Sequence, residues 1–286
     1  MQTTSEPTPR TGRDGSVIAP STPMEKVRPS PTVSIVIPAL NEARNLPHVL
    51  SKLPPVDEVI LVDGGSTDDT IAVATRLRPD IRVVAQNRKG KGNALACGFA
   101  AATGDVIVMI DADGSTSPEE IPLFVAALCA GADFAKGSRF APTGGSLDIT
   151  RTRQIGNKFL NTLVNVMYGT RYSDLCYGYN AFWARCMPHF SLDTTSPRPS
   201  GDGRLWGDGF EIETLLNLRA ARANLRVTEV PSFEHPRIHG ASNLNAVKDG
   251  IRVLRTIARE WRRSQPTATA TTASWSGTRS LTGTDN

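Results

Sequence analysis

The sequence predicts an α/β fold built around a mainly parallel sheet with helices on both faces. Short apolar runs rich in Val and Ile occur at 33–37, 59–62 and 106–110, and each is followed by polar or glycine-rich residues. Helical patterns lie between these runs. Strands that alternate with helices pair in parallel, and parallel sheets of this kind bind ligands at the carboxyl ends of their strands.

The first two strands lead into turns that suit helix starts. The first is expected at 33–38, and Leu46 and Leu50 then mark the apolar face of a helix. The second ends at the segment 63–68, Asp-Gly-Gly-Ser-Thr-Asp. Glycines allow a tight turn there, and the hydroxyl or carboxylate that follows can cap the next helix.

A third strand at 82–84 runs into the segment 87–93, and residues 94–103 are alanine-rich and helical in pattern. The fourth strand delivers Asp111 and Asp113 at its carboxyl end. Because side chains alternate along a strand, both carboxylates point the same way and Ala112 points away. Hard cations such as Mg²⁺ and Mn²⁺ prefer carboxylate and phosphate oxygens, so the pair predicts a divalent cation that holds a diphosphate.

Eight motifs follow one another in a fixed order along the chain: Ile37-Pro38-Ala39-Leu40-Asn41-Glu42, Val62-Asp63-Gly64-Gly65-Ser66-Thr67-Asp68, Gly90-Lys91-Gly92-Asn93-Ala94-Leu95, Asp111-Ala112-Asp113, Gly137-Ser138-Arg139, Asp208-Gly209-Phe210-Glu211-Ile212-Glu213, Glu229-Val230-Pro231 and Arg237-Ile238-His239-Gly240-Ala241-Ser242-Asn243-Leu244. This order resembles the inverting glycosyltransferases of family 2, and among them the polyprenyl (dolichol) phosphate mannosyl- and glucosyltransferases. The resemblance spans about residues 33–263. It implies the GT-A fold, in which a nucleotide-binding half is followed by an acceptor-binding half in one domain.

The chain departs from that family at two positions. Gly64 stands where many relatives have a second aspartate, and Ser115 stands where some polyprenyl-phosphate enzymes have glutamine. The first departure removes a carboxylate but leaves Asp63 in place. The second leaves the third protein ligand of the cation open, and His239 is retained as a weaker candidate.

The resemblance places the donor at the first strand tips. Asp63 would receive the base or ribose, and the pocket around it would be lined by Pro38, Ala39 and Glu42. We expect Lys91 to neutralise the diphosphate, because a helix start attracts anions. A solvated lysine and an ordinary strand exit are the alternatives for these segments.

Two kinds of acceptor lead to two sets of catalytic residues. A hydroxyl acceptor needs a carboxylate base, for which the candidates are Asp208, Glu211 and Glu213, although acidic residues also favour helix starts for structural reasons. A lipid phosphate is already anionic and needs cations to position it. Arg139 and Arg237 stand in motifs of the family and are the candidates for that role.

Three functions are consistent with these motifs. The first is metal-dependent transfer of a hexose, with inversion, from a UDP- or GDP-hexose to a polyprenyl phosphate, with Mg²⁺ or Mn²⁺ as cofactor. The second is a family 2 transferase acting on a hydroxyl of a glycan or small molecule. The third, from a different class, is a nucleotidyltransferase or a non-catalytic nucleotide-sugar-binding protein.

The composition of the chain indicates which kinds of partner and which cellular compartment to expect. The chain has 286 residues, 39% hydrophobic and 21% charged, with a net charge of +4 and no basic stripe with interleaved aromatics, so we expect no nucleic acid. Four widely spaced cysteines indicate reduced thiols in the cytoplasm. Residues 1–31 and 264–286 are predicted to be disordered tails around a domain at 32–263, and no run is long enough to span a membrane.

The last predicted helix, at 247–261, is amphipathic. Its apolar positions are Val247, Ile251, Leu254, Ile257 and Trp261, and arginines occupy the rest of its surface. One interpretation is that it lies on the inner, anionic face of the membrane as a peripheral contact. The other is that it packs on the domain with its arginines in water.

Overall fold

The computed structural model describes residues 30–197, 205–240 and 246–263. In this part of the chain the strands are β1 (Val33–Ala39), β2 (Glu58–Asp63), β3 (Arg82–Ala85), β4 (Val106–Met109), β5 (Phe134–Ser138), β6 (Gly145–Ser146), β7 (Asn180–Trp183), β8 (Val227–Pro231) and β9 (Phe233–Glu234). The helices are α1 (Leu46–Ser51), α2 (Thr70–Leu77), α3 (Lys91–Ala101), α4 (Ile121–Cys129), α5 (Arg151–Tyr168), α6 (Met187–Phe190), α7 (Ile212–Arg222) and α8 (Ala246–Arg262).

The central sheet has seven strands in the order β3-β2-β1-β4-β7-β5-β8. β7 runs antiparallel to both of its neighbours, β4 and β5, whereas the other neighbouring pairs are parallel. The prediction of a mainly parallel α/β sheet is therefore confirmed. β6 and β9 form a separate parallel pair.

Apart from the edge strand β3, the strands of the sheet send alternate side chains into two apolar layers. Ile35 and Ile37 of β1 pack with α1, α2 and α4, and Val36 packs with α3 and α7 on the other face. Gly98 brings α3 close to the sheet, since a Cβ there would lie 2.3 Å from Cγ1 of Val36. The two layers explain why the central strands are apolar on both faces.

A third apolar cluster lies outside α7. Leu160 and Val164 of α5 and Val253 and Ile257 of α8 pack together over Leu218. α7 is consequently covered on both sides, which explains why most of its side chains are buried.

The elements that the sequence predicted lie within a few residues of their observed positions, whereas β5 to β9 and α4 to α6 were not predicted. α3 begins at Lys91, three residues before the helix expected at 94, and α8 extends one residue beyond the predicted 247–261 at each end. The predictions for the tails fall outside the described residues, apart from residues 30 and 31. Within the described ranges, no helix has both the length and the apolar content that crossing a membrane requires.

Candidate active site

A cavity of about 1310 Å³ opens at the carboxyl ends of β1, β2 and β4. Pro38 and Ala39 of β1 line it, together with Asp111 and Asp113 just beyond β4. Glu213 of α7 reaches it from the other half of the chain. Because these elements meet at one edge of the sheet, residues far apart in sequence share one site.

Each carboxylate of the Asp111/Asp113 pair is held by a cation. Nζ of Lys91 lies 2.6 Å from Oδ1 of Asp111, and Nη2 of Arg237 lies 3.0 Å from Oδ2 of Asp113. The turn after β4 fixes this arrangement, since the N–H of Ser115 donates to Oδ1 of Asp113 at 3.0 Å. The strand tip thus presents both carboxylates to the cavity, as their spacing predicts.

Lys91 joins the two halves of the site. Its Nζ also lies 2.7 Å from Oε1 of Glu213. Burial alone would lower the pKa of Lys91, but the charges of Asp111 and Glu213 hold it above the ordinary lysine value. Burial has the opposite effect on the carboxylic acid and raises the pKa of Glu213, although Lys91 opposes this.

Arg237 lies in the segment after β9 and forms an ion pair with Glu42, which lies in the turn after β1. Its Nη1 lies 2.8 Å from Oε1 of Glu42, whose other oxygen accepts a hydrogen bond from Nδ2 of Asn45. Nδ2 of Asn45 also donates to the carbonyl oxygen of His239 at 3.2 Å. Nε of Arg237 is buried and has no hydrogen-bond partner among the described residues, so the guanidinium keeps an unused donor at the cavity.

The glycines at the start of α3 serve packing. The N–H groups of Gly92 and Asn93 donate to the carbonyl oxygen of Asp208, at 2.8 and 3.3 Å. A Cβ at Gly92 would lie 1.9 Å from the carbonyl oxygen of Gly207, and Gly90 has φ +121°. Although a helix start attracts anions, these two N–H groups are therefore already used within the protein and are not available to a phosphate.

The acidic motif 208–213 turns only one of its three candidate bases into the cavity. Asp208 is buried in a bidentate ion pair with Arg88, at 2.9 and 3.0 Å. Glu211 is also buried, and its Oε1 accepts the N–H of Gly207 at 3.0 Å. Neither side chain lines the cavity, whereas that of Glu213 does. Among the three predicted bases, the geometry therefore favours Glu213.

Arg139 lines the cavity but its charge is already compensated. Its guanidinium donates to both oxygens of Asp174, at 2.7 and 2.8 Å, and to Glu234 at 2.9 Å. It stacks over the ring of Tyr177 at 4.8 Å, and only 6% of the residue is exposed. The guanidinium is thus shared by two carboxylates, and its role in positioning an acceptor phosphate stays a prediction.

The predicted nucleotide pocket is formed in part. Pro38, Ala39 and Glu42 line the cavity, but the carboxylate of Asp63 is turned toward its own loop and accepts the N–H of Gly65 at 2.9 Å. Gly64 lines the cavity in its place. A Cβ at Gly64 would lie 3.2 Å from the carbonyl oxygen of Ala39, so the missing aspartate of the family would be crowded here.

Gly178 is a site residue that the sequence reading missed. A Cβ there would lie 3.0 Å from Nζ of Lys91, 3.2 Å from Oε1 of Glu213 and 3.6 Å from Oδ2 of Asp111. The sequence does contain a signal for this position, because a glycine beside a strand often marks a place where another group approaches the backbone closely. Gly178 lies just before β7, between two tyrosines.

Comparison with known proteins identifies the family. Residues 34–186 match the model of glycosyl transferase family 2. The polyprenol monophosphomannose synthase of Mycolicibacterium smegmatis is 32% identical over 246 residues, which cover 82% of this chain and 88% of that protein. The chain is a family 2 glycosyltransferase. The undecaprenyl-phosphate mannosyltransferase of Micrococcus luteus is similar to it as well, at 31% identity over 74% of this chain and 87% of that protein.

A solved structure confirms the GT-A fold of this glycosyltransferase. Glucosyl-3-phosphoglycerate synthase from Mycobacterium tuberculosis, in complex with Mn²⁺, UDP-glucose and glycerol 3-phosphate, superposes with a TM-score of 0.62 at 25% identity. The match covers 82% of each chain.

Proposed function

We propose that this glycosyltransferase transfers a hexose, with inversion, from UDP- or GDP-hexose to the phosphate of a polyprenyl phosphate, and that it uses Mg²⁺ or Mn²⁺. The names of two relatives, a polyprenol monophosphomannose synthase and an undecaprenyl-phosphate mannosyltransferase, support this acceptor. We place the enzyme in the cytoplasm, because nucleotide sugars are made there and its four cysteines are free thiols.

The charge pattern of the cavity carries the proposal. Among the described residues, every carboxylate that lines the cavity lies between 2.6 and 3.4 Å from a Lys or Arg nitrogen: Glu42, Asp111, Asp113, Asp148, Glu213, Glu234 and Asp249. Each of these carboxylates is therefore already engaged in an ion pair, which it would have to leave in order to take a proton from an acceptor hydroxyl. This pattern suits an acceptor that is already an anionic nucleophile and gives up no proton.

Asp111 and Asp113 fit a hard divalent cation. They are oxygen donors at the edge of the cavity, and no described group of three or more His, Cys, Asp or Glu residues forms a complete protein cage. Two carboxylates leave coordination positions for phosphate oxygens and water, as Mg²⁺ prefers. When bound, the cation would act as a Lewis acid that stabilises charge on the departing nucleoside diphosphate.

The remaining roles belong to cations of the chain. Lys91 and Arg237 already contact Asp111 and Asp113, so a diphosphate drawn to this edge meets two positive groups. The unused Nε–H of Arg237 can donate to a phosphate oxygen. Pro38, Ala39 and Glu42 would line the nucleoside end of the donor.

Transfer to a hydroxyl is the second candidate. One observation favours it: burial raises the pKa of Glu213 and makes this side chain a better proton acceptor. The membership in family 2 argues against the nucleotidyltransferase alternative.

The test uses the full chain with Mn²⁺ and either UDP-glucose or GDP-mannose, each labelled in the sugar. Undecaprenyl phosphate is the acceptor, and undecaprenol, which has a hydroxyl in place of the phosphate, is the matched control. We expect label in the lipid phase and release of nucleoside diphosphate only with the phosphate. Transfer to undecaprenol, or to glycans alone, would overturn the proposal.

A further inference from the structure

α5 has two apolar faces. Leu160 and Val164 are buried on the inner face, whereas Ile155, Phe159 and Val166 are 71%, 60% and 80% exposed. On a helix of 3.6 residues per turn, these three exposed side chains fall within about 40° of one another, opposite the buried face. The outer face of a helix on a globular protein is normally polar, so this stripe needs a partner.

α8 also exposes apolar side chains. Ile251, Leu254 and Trp261 are 46%, 38% and 53% exposed, although the inner face of this helix is buried. The ring of Trp261 packs edge-on against Tyr168 of α5, with centroids 5.3 Å apart. The apolar side of α8 therefore faces α5, and the two exposed stripes lie on neighbouring helices.

Cations flank both stripes. Arg151 and Lys158 are exposed on α5, a helix that contains no acidic residue, and Arg255 and Arg262 are exposed on α8. Glu260 of α8 is buried against Arg219 and does not offset them. A surface with an apolar centre and positive flanks complements an anionic lipid bilayer.

The same two helices border the active-site cavity. Thr152 and Gly156 of α5 line it, as do Lys248 and Arg252 of α8. The far ends of the helices meet at Tyr168 and Trp261. The cavity mouth therefore adjoins the exposed apolar stripes.

We propose that Ile155, Phe159, Val166, Ile251, Leu254 and Trp261 form a docking face that inserts into the surface of an anionic bilayer. The inference rests on the proposed function for the identity of the acceptor, since a polyprenyl phosphate lies in a membrane with its phosphate at the surface. Docking through α5 and α8 brings that phosphate to the cavity without a membrane-spanning segment. The sequence suggests a membrane contact for α8 alone. The structure adds α5, whose outer face carries the most exposed apolar side chains.

The first experiment measures flotation of the full chain with vesicles. One set is phosphatidylcholine alone and the other contains an equal amount of phosphatidylglycerol. The docking variant combines Ile155→Ser and Phe159→Ser. The matched control combines Leu77→Ser and Leu123→Ser, which are 47% and 55% exposed but lie on α2 and α4, across the sheet.

We expect the unchanged protein to float with the anionic vesicles, the docking variant to lose at least about tenfold in partitioning, and the control to float normally. Substitution of Arg255 and Arg262 by Gln removes the preference for anionic lipid. Thermal melting verifies that each variant is folded. The proposal is overturned if the docking variant floats as well as the unchanged protein, or if neither protein floats. It is also overturned if the unchanged protein forms a dimer without lipid and the docking variant is a monomer, because the face would then be a dimer interface.

A second experiment separates docking from chemistry. Turnover is measured with undecaprenyl phosphate in vesicles and with a short, water-soluble polyprenyl phosphate. Loss of turnover by the docking variant in vesicles alone supports the docking face. Flotation without turnover on either acceptor overturns the proposed acceptor, and normal turnover of the docking variant in vesicles overturns the docking face.

Discussion

The N–H of Gly92 and the carbonyl oxygen of Asp208 are 2.8 Å apart, and this hydrogen bond fastens the start of α3 to the acidic motif. Gly92→Ala would place a Cβ 1.9 Å from the carbonyl oxygen of Gly207. We expect the free energy of unfolding to fall by about 1–3 kcal/mol or more, because backbone must shift.

Gly156→Ala is the matched control for this substitution. Gly156 lies inside α5, and no described atom beyond its neighbours and the backbone of its own helix lies within 4 Å of the added Cβ, so the same change should raise stability by about 0.5–1 kcal/mol. Urea denaturation measures both. Equal effects at the two positions would show that the contact with the 207–208 backbone is unimportant.

Asp113→Asn tests the metal assignment. The substitution keeps the size of the side chain and removes its charge, so we expect Mn²⁺ affinity in the presence of UDP to drop and kcat/KM to fall by about 100-fold or more. Calorimetry and the transfer assay measure the two effects. Asp80→Asn, on an exposed loop, is the control, and an Asp113→Asn enzyme with unchanged Mn²⁺ binding would refute the assignment.

Glu213→Gln distinguishes the two acceptor classes. Glutamine can still accept a hydrogen bond from Lys91 but cannot serve as a base. With a phosphate acceptor, we expect kcat to stay within about tenfold of the unchanged enzyme. A loss of about 100-fold to 10,000-fold, with the melting temperature unchanged, would instead indicate general base catalysis on a hydroxyl.

Asp208→Ala is expected to act on stability. It leaves the buried guanidinium of Arg88 without its carboxylate, and breaking a buried ion pair costs about 3–5 kcal/mol. Urea denaturation measures the loss, and Asp105→Ala, whose carboxylate is exposed, supplies the comparison. A fully stable but inactive Asp208→Ala protein would restore Asp208 as a catalytic candidate.

The buried side chain of Lys136 should make the free energy of unfolding depend on pH in the alkaline range. This residue of β5 is completely buried, and its Nζ donates to the carbonyl oxygen of Gly137 at 3.2 Å. Burial lowers its pKa in the folded state below the ordinary lysine value, so the unfolded chain binds more protons between the two pKa values. The free energy of unfolding should therefore rise with pH through that interval.

Lys136→Met removes this titration while it keeps much of the volume. We expect a flatter stability profile for the variant, measured by urea denaturation from about pH 7 to pH 9.5. Lys158→Met, at an exposed position of α5, should leave the profile unchanged. Parallel profiles for the unchanged protein and Lys136→Met would contradict the lowered pKa.

The sequence was sufficient for the fold class and for the position of several residues at strand tips, although it did not show that the carboxylate of Asp63 turns toward its own loop. Asp111 and Asp113 were predictable because a strand alternates its side chains and because parallel strands end at one edge of the sheet. The same local reasoning places Pro38 and Ala39 at the cavity.

Side chains whose roles depend on distant partners were not predictable. Asp208 and Glu213 lie five residues apart in one acidic motif, yet one is sequestered by Arg88 and the other reaches Lys91. Arg139 likewise has the sequence motif of an anion-binding residue. The structure shows that its guanidinium is paired with Asp174 and Glu234. A pattern of charges in sequence does not reveal which charges are already paired.

The position of β7 in the sheet has a consequence for biosynthesis. β5 is synthesised before β7, but β7 is the strand that lies beside β4 in the finished sheet. At about 5–20 residues per second, the ribosome takes several seconds to add the roughly 70 residues between β4 and β7. During that interval the edge of β4 is unpaired and β5 is the available strand, so a nascent chain that pairs them must open again before β7 can insert.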